Sequence, residues 1–383
     1  MMLLEHDAKE LLAELGLPVP CGRLVRSGET SGISGPAVVK AQVPVGGRGK
    51  AGGIRLVRDA SEADDALSAI IGKTIRGHEV RACRIEEQVD HLTEAYLSLT
   101  VAGGPGNIRV LMSQHGGVEV EDASTRADLL DASADAESQG LGAAVDALAA
   151  RLPDALIIPA REAGRKLIRA FFAYEAVLLE INPLFVRADG SWVVGDAKLA
   201  VDQNALSRVP RLKRVIEENE DLYPEGALKL KQDFDYVRLD PDGDIGLVTT
   251  GAGLSMQIVD ELTARGSRPF NFCDIRTGQF QGDPARLIQV LSWIAEGPRI
   301  RTVLINFFAG HTDLGEISRL LVEALKAVPQ LRVPITARFI GNGLEQARAT
   351  LAAADTPIII ETDLERAINL AIERGKAWEP AHD

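Results

Sequence analysis

Beyond Leu239 the chain repeats one pattern, in which a short apolar run enters a glycine-containing turn and a helical stretch follows. Ile245–Val248 leads into Gly251-Ala252-Gly253, Val303–Phe307 into Gly310, and Ile335–Phe339 into Gly341-Asn342-Gly343, with a shorter run at Pro357–Ile360. Alternating strands and helices with tight turns predict a parallel, doubly wound α/β sheet. Such a sheet binds ligands at the carboxyl ends of its strands.

The amino-terminal part reads differently. A first helix is expected where Ala8, Leu11, Leu12 and Leu15 share a face, with Gly16 as its cap and packing as its role. After Pro18 and Pro20, β-type runs follow at 37–43, 54–57, 84–87, 96–101, 110–113, 178–181 and 192–195. Glycine-rich or helical stretches separate them, which predicts an α+β domain with antiparallel hairpins. Ala134–Ala150 is Ala-rich and reads as a helix with a loop before it. The expected division therefore places one domain at residues 1–238 and a second at 239–383, just before the Pro241-Asp242-Gly243 turn.

With 42 Lys and Arg against 55 Asp and Glu, the net charge of −13 repels polyanions and excludes nucleic-acid binding through bulk electrostatics. Any phosphate must be held locally. No apolar run approaches the roughly 18 residues a membrane span needs, so no membrane association is expected. The acidic amino terminus lacks a secretory pattern, and Cys21, Cys83 and Cys273 are too far apart for a CxxC site. A reducing cytoplasm is the expected location.

Chemistry concentrates first at Lys40 and the loop Gly46-Gly47-Arg48-Gly49-Lys50-Ala51-Gly52-Gly53, where five glycines fall in eight residues. Glycines let backbone N–H groups close around an anion, and Arg48 and Lys50 add charge. The competing reading is a hairpin turn with a solvated basic tip. Lys40 weighs against it, since a charge in an apolar strand needs a partner.

The second constellation joins Glu180-Ile181-Asn182-Pro183 to Asp196-Ala197-Lys198 through Ala188-Asp189-Gly190. A three-residue loop there sets Asn182 opposite Asp196 and Glu180 opposite Lys198. Hard oxygens on neighbouring strands, completed by water and phosphate, describe a Mg²⁺–nucleotide site; a surface hairpin with one ion pair fits equally well. Glu86, Glu87 and Glu94 read as a solvated strand edge in preference to acceptors for ribose hydroxyls. Thr250-Gly251-Ala252-Gly253 and Gly310-His311-Thr312-Asp313 bring backbone donors to helix N-termini, where a carboxylate or phosphate can bind. None of the six histidines has metal-ligand or triad spacing, and only the turn holding His311 faces an expected ligand site.

These motifs, together with LLEHDAKELLAELGLPVP, GGVEVE, LLEINPL and GDAKLAVDQNAL, make the sequence resemble the β subunit of succinyl-CoA synthetase (succinate–CoA ligase) over nearly its whole length. Malate–CoA ligase and ATP-citrate lyase are less close. The resemblance implies an ATP-grasp domain followed by a flavodoxin-like CoA-ligase domain. It implies that Lys40, Gly47, Arg48 and Gly49 hold the phosphates of ATP, that Glu86, the Val89 backbone and Glu94 contact base and ribose, and that Asn182 and Asp196 bind Mg²⁺. Glu180 would steady a phosphohistidine presented by a partner α subunit, which also binds CoA. Thr250, Gly310, His311 and Thr312 would meet a small carboxylic acid substrate.

Departures from the family gather at that acid-binding end. Thr250 replaces Asn, Arg276-Thr277 replaces part of a glycine-rich turn, and the 309–315 turn differs at every position but Gly310. An acid more polar than succinate is therefore expected, received by Arg276, His311 or Thr312. Two other readings remain open: a carboxylate–amine ligase acting alone, and a non-catalytic nucleotide-binding homologue.

Overall fold

Val25, Val39 and Ile85, each on one of three short strands, bury one face of a four-stranded antiparallel sheet. Its order is Gly22–Arg26, Ala82–Glu87, Ala37–Ala41, Ile54–Val57. The helix Ala60–Ile70 covers that face with Ala63, Leu67 and Ile70, and Asp59 caps it by accepting from the Glu62 amide at 3.0 Å. These contacts come from a computed structural model, which describes residues 1–102, 106–117, 129–232, 234–276, 282–310, 312–354 and 356–378.

A second antiparallel sheet of six strands runs Trp192–Val194, Ala176–Val186, Thr93–Val101, Asn107–Ser113, Leu130–Asp135, with Ala197–Val201 also paired to Ala176–Val186. The helices Ser138–Ala149 and Asp154–Ala173 accompany it. The strand Leu130–Asp135 falls where a loop was expected. Opposite Asp131, Ser133 and Asp135, its apolar stripe is only Leu130, Ala132 and Ala134, too small to stand out, and it forms by pairing with Asn107–Ser113 at the sheet edge.

These sheets and helices lie in one compact unit, Met1–Leu222; Tyr223–Asp383 forms another. The division precedes the boundary expected at residue 238, because Leu228, Phe234 and Tyr236 join the second unit's core and Asp235–Arg238 pairs with Asn271–Asp274.

In the second unit, four parallel strands stand in the order Ile245–Thr249, Thr302–Ala309, Ile335–Gly341, Ile358–Glu361. Asn271–Asp274 lies on the other side of Ile245–Thr249, tied to it by Phe270 N–H to Ile245 O and by both amide atoms of Asn271 to the Leu247 backbone. The strand order is thus 2-1-3-4-5, that of a flavodoxin-like sheet. Neighbouring residues of one strand serve opposite faces: Val303, Ile305 and Phe307 enter one core, and Leu304 enters the other beneath Ile258 and Ile368. This is why the strands read as continuous apolar runs.

Candidate nucleotide and acid sites

Helix Glu5–Glu14 carries Glu5, Ala8, Lys9 and Leu12 on one stripe, and that stripe is buried. Lys9 is fully buried; its ammonium donates to Glu5 (2.8 Å), Glu86 (2.7 Å) and the Gly195 carbonyl (2.8 Å). Lys40 donates to the same three groups, at 2.9, 2.6 and 2.7 Å. Two lysines and two glutamates thus alternate around one backbone carbonyl, and each ammonium has all three protons engaged.

Arg84 adds a third cation through Glu86 (2.7 Å), and Arg48 binds Glu5 (2.7 Å) and Asp196 (2.6 Å). Burial works to raise the Glu5 carboxyl pKa, but Lys40, Lys9 and Arg48 overcome it and hold the group well below the usual carboxylate range. Burial likewise opposes Lys40, and Glu5 and Glu86 reverse the effect and push its pKa up.

The expectation that Glu86 belongs to a solvated edge is corrected here: it is 3% exposed. Its strand lies inside the sheet between two others, and strand alternation sends Arg84 and Glu86 together toward the first helix. Glu87, the next residue, is exposed as expected. Arg48 is no solvated tip either, being 7% exposed; Lys50 does fit that description. The sequence reading missed Glu5 and Lys9. Their signal was present as charges at i and i+4 on the apolar stripe of an amphipathic helix, where a solvated residue does not belong.

His6 extends this cluster. Arginine only donates, so the Arg84 contact to His6 Nδ1 at 2.6 Å makes that nitrogen the acceptor and the ring neutral. Burial, then Arg84, lowers its pKa to about 4. The unfolded chain takes up this proton near pH 6.5 and the folded chain does not, so stability is complete above pH 6.5 and declines as pH falls toward 4. His6→Asn, which keeps an acceptor and does not titrate, is expected to flatten that part of the pH–Tm profile. An unchanged slope would assign the acid limb to other groups.

The hairpin register is the expected one. Glu180 pairs with Lys198, the Asn182 amide donates to the Asp196 carbonyl at 3.1 Å, and the loop closes at residues 188–190 with Gly190 at φ +81°. Asn182 and Asp196 line a cavity of about 220 Å³ together with Lys40, Arg48, Lys198 and the loop backbone at Gly46, Gly47 and Gly49. Gly47 sits at φ +74°, a left-handed conformation that favours glycine, with the Arg76 guanidinium 2.5 Å from where a Cβ would stand.

Asp196 Oδ2 holds Arg48, whereas its Oδ1 is buried and meets no hydrogen-bond donor among the described residues. Asn182 Oδ1 accepts one bond, from the Gly117 amide at 2.6 Å. These oxygens suit a hard cation. No cluster of three His, Cys, Asp or Glu placed for a metal occurs among the described residues, so the remaining ligands would be water and phosphate.

Glu180 receives Lys198 Nζ at 2.6 Å and the Tyr96 hydroxyl at 3.3 Å. Glu94, half-buried, bonds His91 at 3.1 Å; His91 in turn stacks on the cavity-lining Phe185 at 4.2 Å and lies 3.2 Å from the Val89 carbonyl. Glu86, by contrast, faces the lysine cluster and is not part of the cavity wall.

In the second unit, the strand order reverses beside Ile245–Thr249, and Thr250 and Gly310 follow the carboxyl ends of the two strands flanking that point. The Thr250 hydroxyl accepts from the Phe308 amide at 3.2 Å, joining the strand ends. Gly251, at φ +85°, opens the next helix and donates to Asp274 at 2.8 Å. Gly310 is exposed and Thr312 half-buried, while His311, Thr277 and Gln279 lie outside the described residues. Arg276 is strained at φ +50° and bonds Asp235 at 3.3 Å.

Residues 2–186 match the family described as ATP-grasp domain, and residues 248–371 the family described as CoA-ligase. The β subunit of succinate–CoA ligase [ADP-forming] from Chloroflexus aurantiacus is 35% identical over 366 residues, covering 92% of this chain and 93% of that protein. Subunit beta 2 of the same enzyme from Streptomyces coelicolor is 35% identical, covering 94% and 93%. Among solved structures, ATP citrate lyase from Methanothrix soehngenii shares the fold, with a TM-score of 0.70 over 97% of this chain and 99% of that one at 20% identity.

An ATP-grasp domain followed by a CoA-ligase domain defines an acid–thiol ligase. More narrowly, this chain belongs to the family of succinate–CoA ligase [ADP-forming] β subunits.

Proposed function

We propose that the chain binds Mg-ATP and passes its terminal phosphoryl group to a histidine of a CoA-binding α subunit, on the way to activating a small carboxylic acid. The observation that supports this most is the single cavity lined by Lys40, Arg48, the glycine-rich loop, Asn182 and Asp196. Lys40, Arg48 and the loop amides at Gly47 and Gly49 offset phosphate charge, while Glu94 and Val89, beside Phe185, contact the nucleoside. Glu86 reaches the nucleotide only through Lys40, whose position it fixes. Asn182 and Asp196 hold Mg²⁺, which supplies charge neutralisation at the transferring group.

Glu180, kept beside Lys198 and Tyr96, accepts the N–H of the partner's histidine and orients the ring. The phosphoryl group moves from ATP to that histidine, releasing ADP, and then to the substrate carboxylate. The CoA thiolate displaces phosphate from the acyl phosphate to give the thioester. Thr250, Gly310, His311 and Thr312 form the acid-binding end. The free cysteines and the absence, among the described residues, of a helix long and apolar enough to cross a membrane are compatible with a cytoplasmic location.

The acid is one with a polar group beyond the two carboxylates of succinate. Support comes from Arg276 and Thr312, which bring side-chain donors to turns where the family carries smaller or less polar residues. Steady-state assays of the assembled heteromer should give kcat/KM about tenfold higher for a hydroxylated or otherwise polar dicarboxylate than for succinate, the ~1.4 kcal/mol of one well-made hydrogen bond. Faster turnover of succinate than of both malate and citrate would overturn this specificity.

A further inference from the structure

Lys198 differs from Lys40 and Arg48, the buried cations of the nucleotide cavity, and from Lys50, which also lines it but sits on the glycine-rich loop and not on the hairpin. Lys40 spends its three donors on Glu5, Glu86 and the Gly195 carbonyl, and Arg48 is held by Glu5, Asp196 and the Ala41 carbonyl. The Lys198 ammonium meets one acceptor among the described residues, Glu180. Two of its N–H groups therefore remain for a ligand. The side chain lines the cavity and is 32% exposed, and its Nζ lies 3.6 Å from where a Cβ of Gly46 would stand.

Position along the hairpin assigns the ligand group. Asn182 and Asp196 form one cross-strand row; Glu180 and Lys198 form the next on the same face, about 7 Å further along the strands. Taking the first row as the metal and phosphate site, the second lies on the side toward which the phosphoryl group leaves.

We propose that Lys198 is a further catalytic residue, whose ammonium binds the terminal phosphate of ATP while remaining paired with Glu180. Bridging the two, it draws the terminal phosphate toward the carboxylate that orients the acceptor, and it offsets the charge two anions bring together. No proton leaves it at any stage. The inference rests on the nucleotide reading of the cavity and adds a residue that discriminates triphosphate from diphosphate.

Equilibrium binding to the assembled heteromer tests it, with ADP and the non-hydrolysable β,γ-imido analogue of ATP as probes. Lys198→Met is expected to weaken the triphosphate analogue about tenfold, leave ADP within about twofold, and lower kcat. Lys198→Arg should restore most of the triphosphate preference, and Lys198→Gln reads the same ratio should the Met variant fail to assemble. An unchanged ratio, whether both ligands weaken or neither does, overturns the assignment. Lys40→Met separates the two levels: if it weakens neither ligand, the nucleotide reading itself falls. If it weakens both while Lys198→Met spares the ratio, only Lys198 loses its role.

Discussion

Lys9→Met should lower the melting temperature of the chain by roughly 10 °C although Lys9 does not itself line the nucleotide cavity. The side chain is wholly buried, and its removal strips a donor from Glu5, from Glu86 and from the Gly195 carbonyl. Breaking a buried ion pair from one side costs about 3–5 kcal/mol, since the abandoned charge stays desolvated. For a unit of this size, each kcal/mol moves the midpoint by roughly 2–4 °C.

The loss comes from charge imbalance, so Glu86→Gln in the Lys9→Met background should recover part of it, a coupling that a double-mutant cycle reads directly. Arg165→Met sets the scale for an exposed pair: Arg165 and Asp146 are 60% and 35% exposed, and such a contact contributes about 0–1 kcal/mol. A Lys9→Met shift no larger than that of Arg165→Met would show that the cluster is solvated. So would a double variant no better than the single.

The same cluster shows where sequence reasoning stops. Lys40 announced that it needed a partner, because a charge in an apolar strand must be compensated. Its partners are 35 and 46 residues away along the chain, and no local pattern couples them. Glu5 and Lys9 were read as part of a packing helix, and Glu86 as solvent-facing, because a lone carboxylate in a strand is more often exposed than paired.

Features specified locally were legible. The Asn182/Asp196 and Glu180/Lys198 rows followed from loop length and strand alternation alone, and the parallel strands followed from apolar runs ending in glycine turns. The strands Leu130–Asp135, Asp235–Arg238 and Asn271–Asp274 were not, since each is short, mixes apolar with polar residues and exists through pairing with a neighbour. Thr250 and Glu86 carry a related lesson. A residue type suited to a ligand can sit one contact behind it, holding a strand end or a lysine in place.

Asp196→Asn should have the largest effect on turnover, a fall on the order of 10³-fold in ATP-dependent thioester formation, equivalent to about 4 kcal/mol of lost charge stabilisation. Burial raises the Asp196 carboxyl pKa and Arg48 is the chief influence opposing it; the group lines the cavity with one oxygen held by Arg48 and the other without a hydrogen-bond donor among the described residues. Asparagine preserves shape but removes the charge a divalent cation requires. The variant's Mg²⁺ dependence should therefore shift to concentrations at least about tenfold higher. Its stability should change far less than that of Lys9→Met, because Arg48 keeps Glu5 and the Ala41 carbonyl. Asp189→Asn, at the exposed tip of the same hairpin, should leave turnover unaltered. An Asp196→Asn enzyme that kept its turnover within about threefold at the same Mg²⁺ concentration would remove Asp196 from the metal site. The carboxylate would then be left with one function, that of fixing Arg48 against the glycine-rich loop.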